Sequence, residues 1–445
     1  MVILIFSFIA GFLRTLFIMK PDCWFDCSFS VLITQKPLDY ILSGVDVHPP
    51  LYYIILKIWY YIFGNSIMAG RLLSVAISVI FLFTLYYITK RLYGEKIGII
   101  TLVLASVATT YIIYSIEIRM YMLVCLLILL TYYFFVTQRY RLFTIFFVLS
   151  IYTHYYSAFF GLFVAYKFFF DKDNQKAILK STIISFILTI PLFFYFWHQT
   201  MRLEKMWLKL AQIESLPSAF FHQFAVPSNS GNVANAVTIY PYIFLVIVYG
   251  LIFWKAKWNE NKELYLLGFG IPLIIFFGAM IVHIPYHHRF LLMYAFPLYI
   301  LLAIALEHFV DFDNFRYIPT LLIMILGFQI YFYVDYFQNA NTQLQDIGKY
   351  LDENHICPAN ILHESPFSLV PAMVYNPRCN HYLITNLTEK QGNSAGFDVI
   401  PKQNINANVS YDYYYQSQFG YANGSVILKL NGIRLIKVGE KNGIS

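Results

Sequence analysis

The chain has 445 residues and a formal net charge of +7, with 59% hydrophobic but only 12% charged side chains. Soluble domains carry about twice that charge, so a wholly water-soluble protein is excluded. The positive charge sits in short loops between apolar runs, which leaves a nucleic-acid partner without support.

Apolar runs of membrane-spanning length recur from the first residue to about position 336. The first, Val2 to Met19, has no basic leader and no small-residue cleavage site, and reads as a retained helix. Eleven spans are predicted: 2–19, 70–89, 97–115, 119–136, 142–156, 157–170, 179–197, 237–254, 264–282, 290–307 and 316–336, with 142–170 open between one long helix and two short ones. The loops Lys90–Lys96, Gln138–Arg141, Asp171–Lys180 and Lys255–Glu263 are rich in Lys and Arg, which orients them to the cytoplasm. The remaining loops and the C-terminal tail then face outward, including two long outer loops at 20–69 and 198–236.

Past Tyr336 the composition turns polar and apolar runs shrink to strand length. The pattern predicts a helix at Thr342–Asn354, strands at Asn360–His363 and Tyr382–Thr385, and a hairpin of Ser425–Leu430 and Ile433–Val438 turning at Asn431-Gly432. The expected fold class is therefore a polytopic α-helical membrane protein of about 11 spans, residues 1–338, followed by a small extracytoplasmic α/β domain, residues 339–445. Asn386, Asn408 and Asn423 begin glycosylation sequons, which agrees with an external location but carries slight weight. Cys357 and Cys379 are able to pair in an oxidising compartment, and Cys23 and Cys27 have helical spacing, yet free thiols are the preferred reading for both pairs and for Cys125.

Ionisable groups in an otherwise apolar bundle are a functional-site hypothesis by default. In the first outer loop Asp22 and Asp26 are one helical turn apart, flanking Trp24 and Phe25. Asp46-Val47-His48-Pro49-Pro50 precedes Leu51–Phe63, a run interrupted by Lys57 that reads as a helix lying on the membrane. Asp46 either caps that helix or belongs to a site. Glu117 and Arg119 join two spans at the outer surface, either as a salt bridge or as part of the same site, with Tyr121 beside them. His154 and Tyr155 close the fifth span, and His287, His288 and Arg289 join the ninth and tenth. Arg289 either snorkels or meets a lipid phosphate, which guanidinium groups grip with a bidentate fork. Arg14 and Arg71 are weaker cation candidates, and Met201–Leu210 reads as an amphipathic surface segment.

No Gly-rich phosphate cradle stands beside a strand and helix. Acids and cations without a nucleotide site suit a sugar carried on a lipid phosphate. That leaving group is already acidic, so the site needs only cations to hold it and a carboxylate to take the acceptor's proton.

These residues resemble the membrane-embedded glycosyltransferases of the GT-C fold, specifically the protein O-mannosyltransferase-like group (glycosyltransferase family 39). That group carries an Asp-Glu pair in the first outer loop followed by a His-Pro-Pro motif. Here Asp26-Cys27 stands at the Asp-Glu position and Asp46-Val47-His48-Pro49-Pro50 at the second motif. Ser115–Tyr121 is similar to the second-loop acidic motif, and Tyr152-Thr153-His154-Tyr155 to a further segment. The resemblance implies transfer of a mannose-like hexose from a polyprenyl-phosphate donor to a protein, lipid or surface-polymer acceptor, with inversion. It implies Asp26 as base, Glu117 and Asp46 in the catalytic set, and Asp22, His48, Arg119, Tyr121, His154, Tyr155, His287, His288 and Arg289 binding substrate. Cys27 departs from the family Glu, whose role then passes to Asp22 or Glu117 or is lost, leaving a weakened relative as one alternative. A transporter or lipid flippase is another, although no internal repeat is visible and the acids lie in loops. No cofactor is assigned; a divalent metal on Asp46, His48, Glu117 or the His287–His288 pair is left open, since the spacing does not demand it.

Overall fold

The computed structural model describes residues 2–44, 46–202, 212–225, 239–282, 286–307, 318–340, 342–383, 399–405, 411–416, 424–430 and 433–438. Asn386, Asn408 and Asn423, most of the Met201–Leu210 segment and the Asn431-Gly432 turn lie outside them.

The chain is built largely from helices. The first part runs α1 (Val2–Thr15), α2 (Phe25–Gln35), α3 (Leu38–Leu42), α4 (Leu51–Phe63), α5 (Ile67–Tyr93), α6 (Glu95–Val107), α7 (Thr109–Ser115), α8 (Tyr121–Val136) and α9 (Tyr140–Ile151). It continues through α10 (Phe160–Phe170), α11 (Gln175–Arg202), α12 (Leu216–Phe221), α13 (Ile239–Lys255), α14 (Lys262–Tyr265), α15 (Ile271–Val282), α16 (Phe296–Glu307) and α17 (Ile318–Gln338). Among the described residues three helical stretches, Ile67–Tyr93, Gln175–Trp197 and Lys262–Val282, are each long and apolar enough to cross a membrane. The number becomes five if two pairs bent by 58° are single spans: α6 with α7, and His288–Tyr294 with α16.

Burial follows the side chains. From Phe296 to Leu306 every residue of α16 is buried, the mark of a helix apolar all round. The outer helices instead present large apolar side chains to their surroundings, as with Phe186 at 70% and Phe194 at 68% exposure on α11, a surface that suits hydrocarbon and not water.

Local rules set the elements that carry the site. Pro49 and Pro50 start α4, where Leu51 N–H finds its acceptor in Tyr152 O at 3.1 Å. Lys57 does not face solvent: its Nζ donates to Thr34 O and Lys36 O, both at 2.8 Å, and so satisfies the last carbonyls of α2 with a cation at the negative end of the helix. Ser66 caps α5, accepting from Ala69 N–H at 3.1 Å. Gly70, four residues into α5, is a close approach: a Cβ there would meet the Tyr60 hydroxyl and stand 2.7 Å from Ile118 Cδ1.

Beyond α17 come α18 (Gln343–Glu353), β1 (Asn360–His363), α19 (Pro366–Tyr375), β2 (Asn380–Leu383), β3 (Tyr413–Gln416), β4 (Gly424–Leu430) and β5 (Ile433–Val438). They form one five-stranded sheet in the order β2-β1-β3-β5-β4. The first three strands pair in parallel, β1 with β2 and with β3, while β3–β5 and β4–β5 are antiparallel. Leu369, Val370, Leu383, Val399 and Ile400 of this C-terminal segment belong to the same apolar core as the long helices.

The preference for free thiols is corrected at two places. Cys23 pairs with Cys27 across 5.2 Å between Cα atoms, and Cys357 with Cys379 across 4.9 Å, within ordinary disulfide reach. Cys125 is a free, buried thiol.

Candidate active site

The acids and cations singled out in the sequence converge from four stretches of chain. Asp26 sits in the first turn of α2, where the helix dipole favours a carboxylate. Its Oδ2 lies 3.1 Å from Arg289 Nη2, and both residues are 7% exposed. The Arg289 guanidinium also stands over the rings of Trp24 at 5.6 Å and Tyr121 at 5.7 Å.

Beside this pair is a second one. Asp46 Oδ2 accepts from the Tyr53 hydroxyl, lies 3.0 Å from His48 Nδ1, and faces Arg119 Nη2 at 3.8 Å. Arg119 Nη1 reaches the Tyr53 hydroxyl at 2.7 Å and donates to Ser30 Oγ of α2 at 3.3 Å, so the two pairs are tied through one helix. Burial alone would raise Asp46, but His48 and Arg119 outweigh it and hold the carboxyl well below its usual range. His48 is held below its ordinary value, first by burial and then by Arg119, against the pull of Asp46.

Glu117 and Arg119 do not pair with each other. Glu117 Oε2 instead accepts from Trp24 Nε1 at 3.3 Å, and burial holds its carboxyl above the ordinary range despite Arg71. His154 Nδ1 accepts from Tyr156 N–H at 3.2 Å, which puts the ring proton on Nε2. That Nε2, the Tyr121 hydroxyl and Arg119 Nε have no hydrogen-bond partner among the described residues, although each is buried. The His154 ring stands 5.5 Å from His48, which itself meets Asp46 and Arg119, and Arg289 stands over the Tyr121 ring. Buried donors left open in this way are what a polar ligand would satisfy.

Other predicted residues are nearby but not at the centre. Tyr155 donates to Gln199 Oε1 at 2.7 Å, and Gln199 Nε2 holds the Asp46 and His48 carbonyls. His287 Nδ1 accepts from Arg289 N–H at 3.3 Å, and His288 stacks on His222 at 3.4 Å. Burial pushes His222 down to about 4 and His287 to about 3, so both are neutral at pH 7. Asp22 is not brought to the cluster: its two carboxylate oxygens accept from Leu344 and Gln345 N–H at 3.0 and 3.1 Å. Arg14 binds Ser78 Oγ, Ala10 O and Ser106 O, away from the acids, while Arg71 donates to Ile18 O and Pro21 O and acts on Glu117 through its charge.

A divalent metal does not fit these donors. Among the described residues no three His, Cys, Asp or Glu side chains converge as ligands. Arg119 stands on Asp46 and His48, the His288 face is covered by His222, and Glu117 is bonded to Trp24.

Tyr53, Ser30, Trp24, His222 and Gln199 are the residues that sequence reading did not place in or around the site. Tyr53 was within reach of a pattern argument, since it lies one turn into the helix that Asp46-Val47-His48 introduces. Trp24 and Ser30 lie within about one turn of Asp26 on the same stretch, whereas His222 and Gln199 arrive from elsewhere in the chain and carry no local signal.

A family model described as dolichyl-phosphate-mannose-protein mannosyltransferase matches residues 47–199. No curated protein matches the chain. Among solved structures, ArnT from Cupriavidus metallidurans in the apo state superposes with a TM-score of 0.68 at 11% identity, covering 98% of this chain and 99% of that one. The same ArnT bound to undecaprenyl phosphate gives 0.63 at 12% identity, again over 98% and 99%. The Archaeoglobus fulgidus oligosaccharyltransferase crystallised with zinc and sulfate gives 0.52 at 12% identity, over 94% of this chain and 68% of that one. The chain therefore has the GT-C fold of these membrane glycosyltransferases, as its motifs led one to expect, and its matched segment begins one residue after Asp46 and contains the His48, Glu117–Tyr121 and His154–Tyr155 residues of the site.

Proposed function

We propose that this protein is an integral-membrane glycosyltransferase that moves a sugar, a mannose-like hexose or a relative of one, from a polyprenyl-phosphate carrier to an acceptor on the extracytoplasmic side. The observation that carries the reading is the buried Asp26–Arg289 pair at 3.1 Å, bordered by open donors on Tyr121, His154 and Arg119. A carboxylate next to buried cations and open donors is what attack on a sugar phosphate requires.

In this mechanism the acceptor hydroxyl attacks the anomeric carbon as Asp26 takes its proton. The bond from that carbon to the phosphate oxygen breaks, and the phosphate leaves with the electron pair, so configuration inverts. Arg289 and Arg119 hold the departing phosphate, with Tyr121, His154 and His287 donating around it. Donor and base share Arg289: an incoming phosphate draws the guanidinium from Asp26 and frees the carboxylate for the acceptor hydroxyl, which makes donor-first binding the favoured order. Glu117, biased toward its protonated form, contacts the acceptor side, while Asp46 fixes Arg119 and His48. The loop-charge pattern supports about eleven spans, with the site and the α/β segment outside the cytoplasm. The acceptor is a protein, a lipid or a surface polymer.

The test is sugar transfer in purified membranes from a panel of labelled polyprenyl-phosphate sugars, comparing wild type with Asp26→Asn. The expected result is transfer by wild type that falls roughly 10²–10⁴-fold in the variant. Wild type moving no sugar from any donor, or a variant as fast as wild type, overturns the reading. The two bent helix pairs are also a transporter trait; lipid translocation without transfer in the same membranes would favour that alternative.

A further inference from the structure

Resting on that reading, the structure assigns a positioning role to a clamp made by Asp22 and Tyr375, through which the C-terminal α/β segment holds the turn that presents Asp26. The helix α18 has no side-chain cap of its own. Its exposed amides at Leu344 and Gln345 are taken by Asp22, which lies 322 residues earlier in the chain, at 3.0 Å and 3.1 Å. A carboxylate on two N–H groups at a helix start is a favourable pairing of charge and dipole. The next residue is gripped as well: Cys23 N–H donates to the Tyr375 hydroxyl at 2.7 Å, from the end of α19. Gln345 Nε2 adds a bond to Lys20 O at 3.1 Å, and the Phe25 ring packs on Phe367 at 4.9 Å.

From the other side Arg71 Nη2 holds Pro21 O at 2.8 Å, so residues 20–23 are held between a long helix and the C-terminal segment. Rigidity then passes to the base. The Cys23–Cys27 disulfide encloses Asp26 in a closed loop, and Ser28 Oγ donates to Cys23 O at 2.7 Å. Moving Cys23 thus moves the first turn of α2 and the Asp26 carboxylate with it. Catalytic groups need placement within about 0.5 Å, and a long loop that enters a short helix does not supply that alone. Cys27, where the family resemblance expects Glu, is in this setting the far end of the staple.

Tyr375→Phe keeps the ring and deletes one acceptor; Asp22→Ala deletes the cap; Arg378→Ala, which breaks only the exposed pair with Asp352 on the same segment, is the control. Two measurements are made on the full-length protein in detergent: amide hydrogen exchange over 22–35, and steady-state transfer. Exchange over 22–35 rises in the first two variants and not in the control. Transfer falls roughly fivefold to tenfold in kcat with donor KM within twofold of wild type. Unchanged exchange in both variants overturns the clamp, whatever the activity. Raised exchange with wild-type kcat, or a loss confined to KM, overturns the positioning role. Absence of transfer in wild type overturns the glycosyltransferase reading and with it the positioning role, while the exchange result still decides whether the clamp exists.

Discussion

Asp46 is the better first target for mutation, because its role separates holding a site together from reacting in it. The residue is 6% exposed, and Asp46→Asn keeps its shape while removing its charge. Arg119, 3% exposed, then retains the Tyr53 hydroxyl at 2.7 Å and His48 at 3.0 Å but loses the carboxylate 3.8 Å away. Unit charges at 3.8 Å attract by about 4 kcal/mol at an effective dielectric near 20, and breaking a buried pair from one side costs roughly 3–5 kcal/mol. The assay is a double-mutant cycle of Asp46→Asn and Arg119→Gln, read by unfolding of all four proteins in detergent. The single changes destabilise by roughly 3–5 kcal/mol each, and the double change by much less than their sum, a coupling of about 2–4 kcal/mol. Coupling below about 0.5 kcal/mol, the level of independent sites, refutes the argument that Asp46 is the internal counter-ion of Arg119.

Three further outcomes follow from the geometry. Lys57→Met strips the carbonyl end of α2 of its cation, and unfolding in detergent should register a loss of roughly 2 kcal/mol; no change there would mean the two 2.8 Å bonds contribute nothing. Gln199→Leu frees the Asp46 and His48 carbonyls, and amide exchange at 46–48 should quicken by about tenfold or more, whereas an unchanged rate removes Gln199 as a brace. Burial pushes Asp22 up to about 6 from the ordinary 3.8, with Asp346 adding and the Leu344 and Gln345 amides opposing. The docked form thus binds the proton more tightly than the free one. The extra stability that the proton on Asp22 gives, roughly 3 kcal/mol, is complete below about pH 4 and lost as pH rises through about 6, while the two N–H bonds to the carboxylate persist. Thermal unfolding between pH 4 and 7 should carry this slope in wild type and lack it in Asp22→Asn.

Short-range rules made much of this molecule legible. Pro49-Pro50 announced α4, the polar shift after Tyr336 announced the sheet-bearing segment, and strand β1 was read to the residue as Asn360–His363. Asp46 and His48 were paired by adjacency, two residues apart. Contacts that close over long separations left no trace in local pattern. Nothing near Asp22 signals that its partner is the helix start at Gln343, and nothing near Lys57 signals the carbonyls of Thr34 and Lys36. The thiols were misjudged for a related reason: at Cys357 and Cys379, 22 residues apart, pairing depends on where β2 returns beside β1. At Cys23 it depends on a turn that precedes the helix, where helical spacing says little.

Gly70 carries the opposite lesson, about a position whose meaning lies in what it omits. It is where α5 comes closest to Tyr60 of α4 and to Ile118, the residue between Glu117 and Arg119. Even one methyl group there would wedge apart the surfaces that set the depth of the turn carrying those two charges. The placement of an arginine in the site is therefore encoded partly in a residue with no side chain, on a different helix. A mutational survey confined to acids, cations and rings would pass over it and then find its own results dependent on the background chosen.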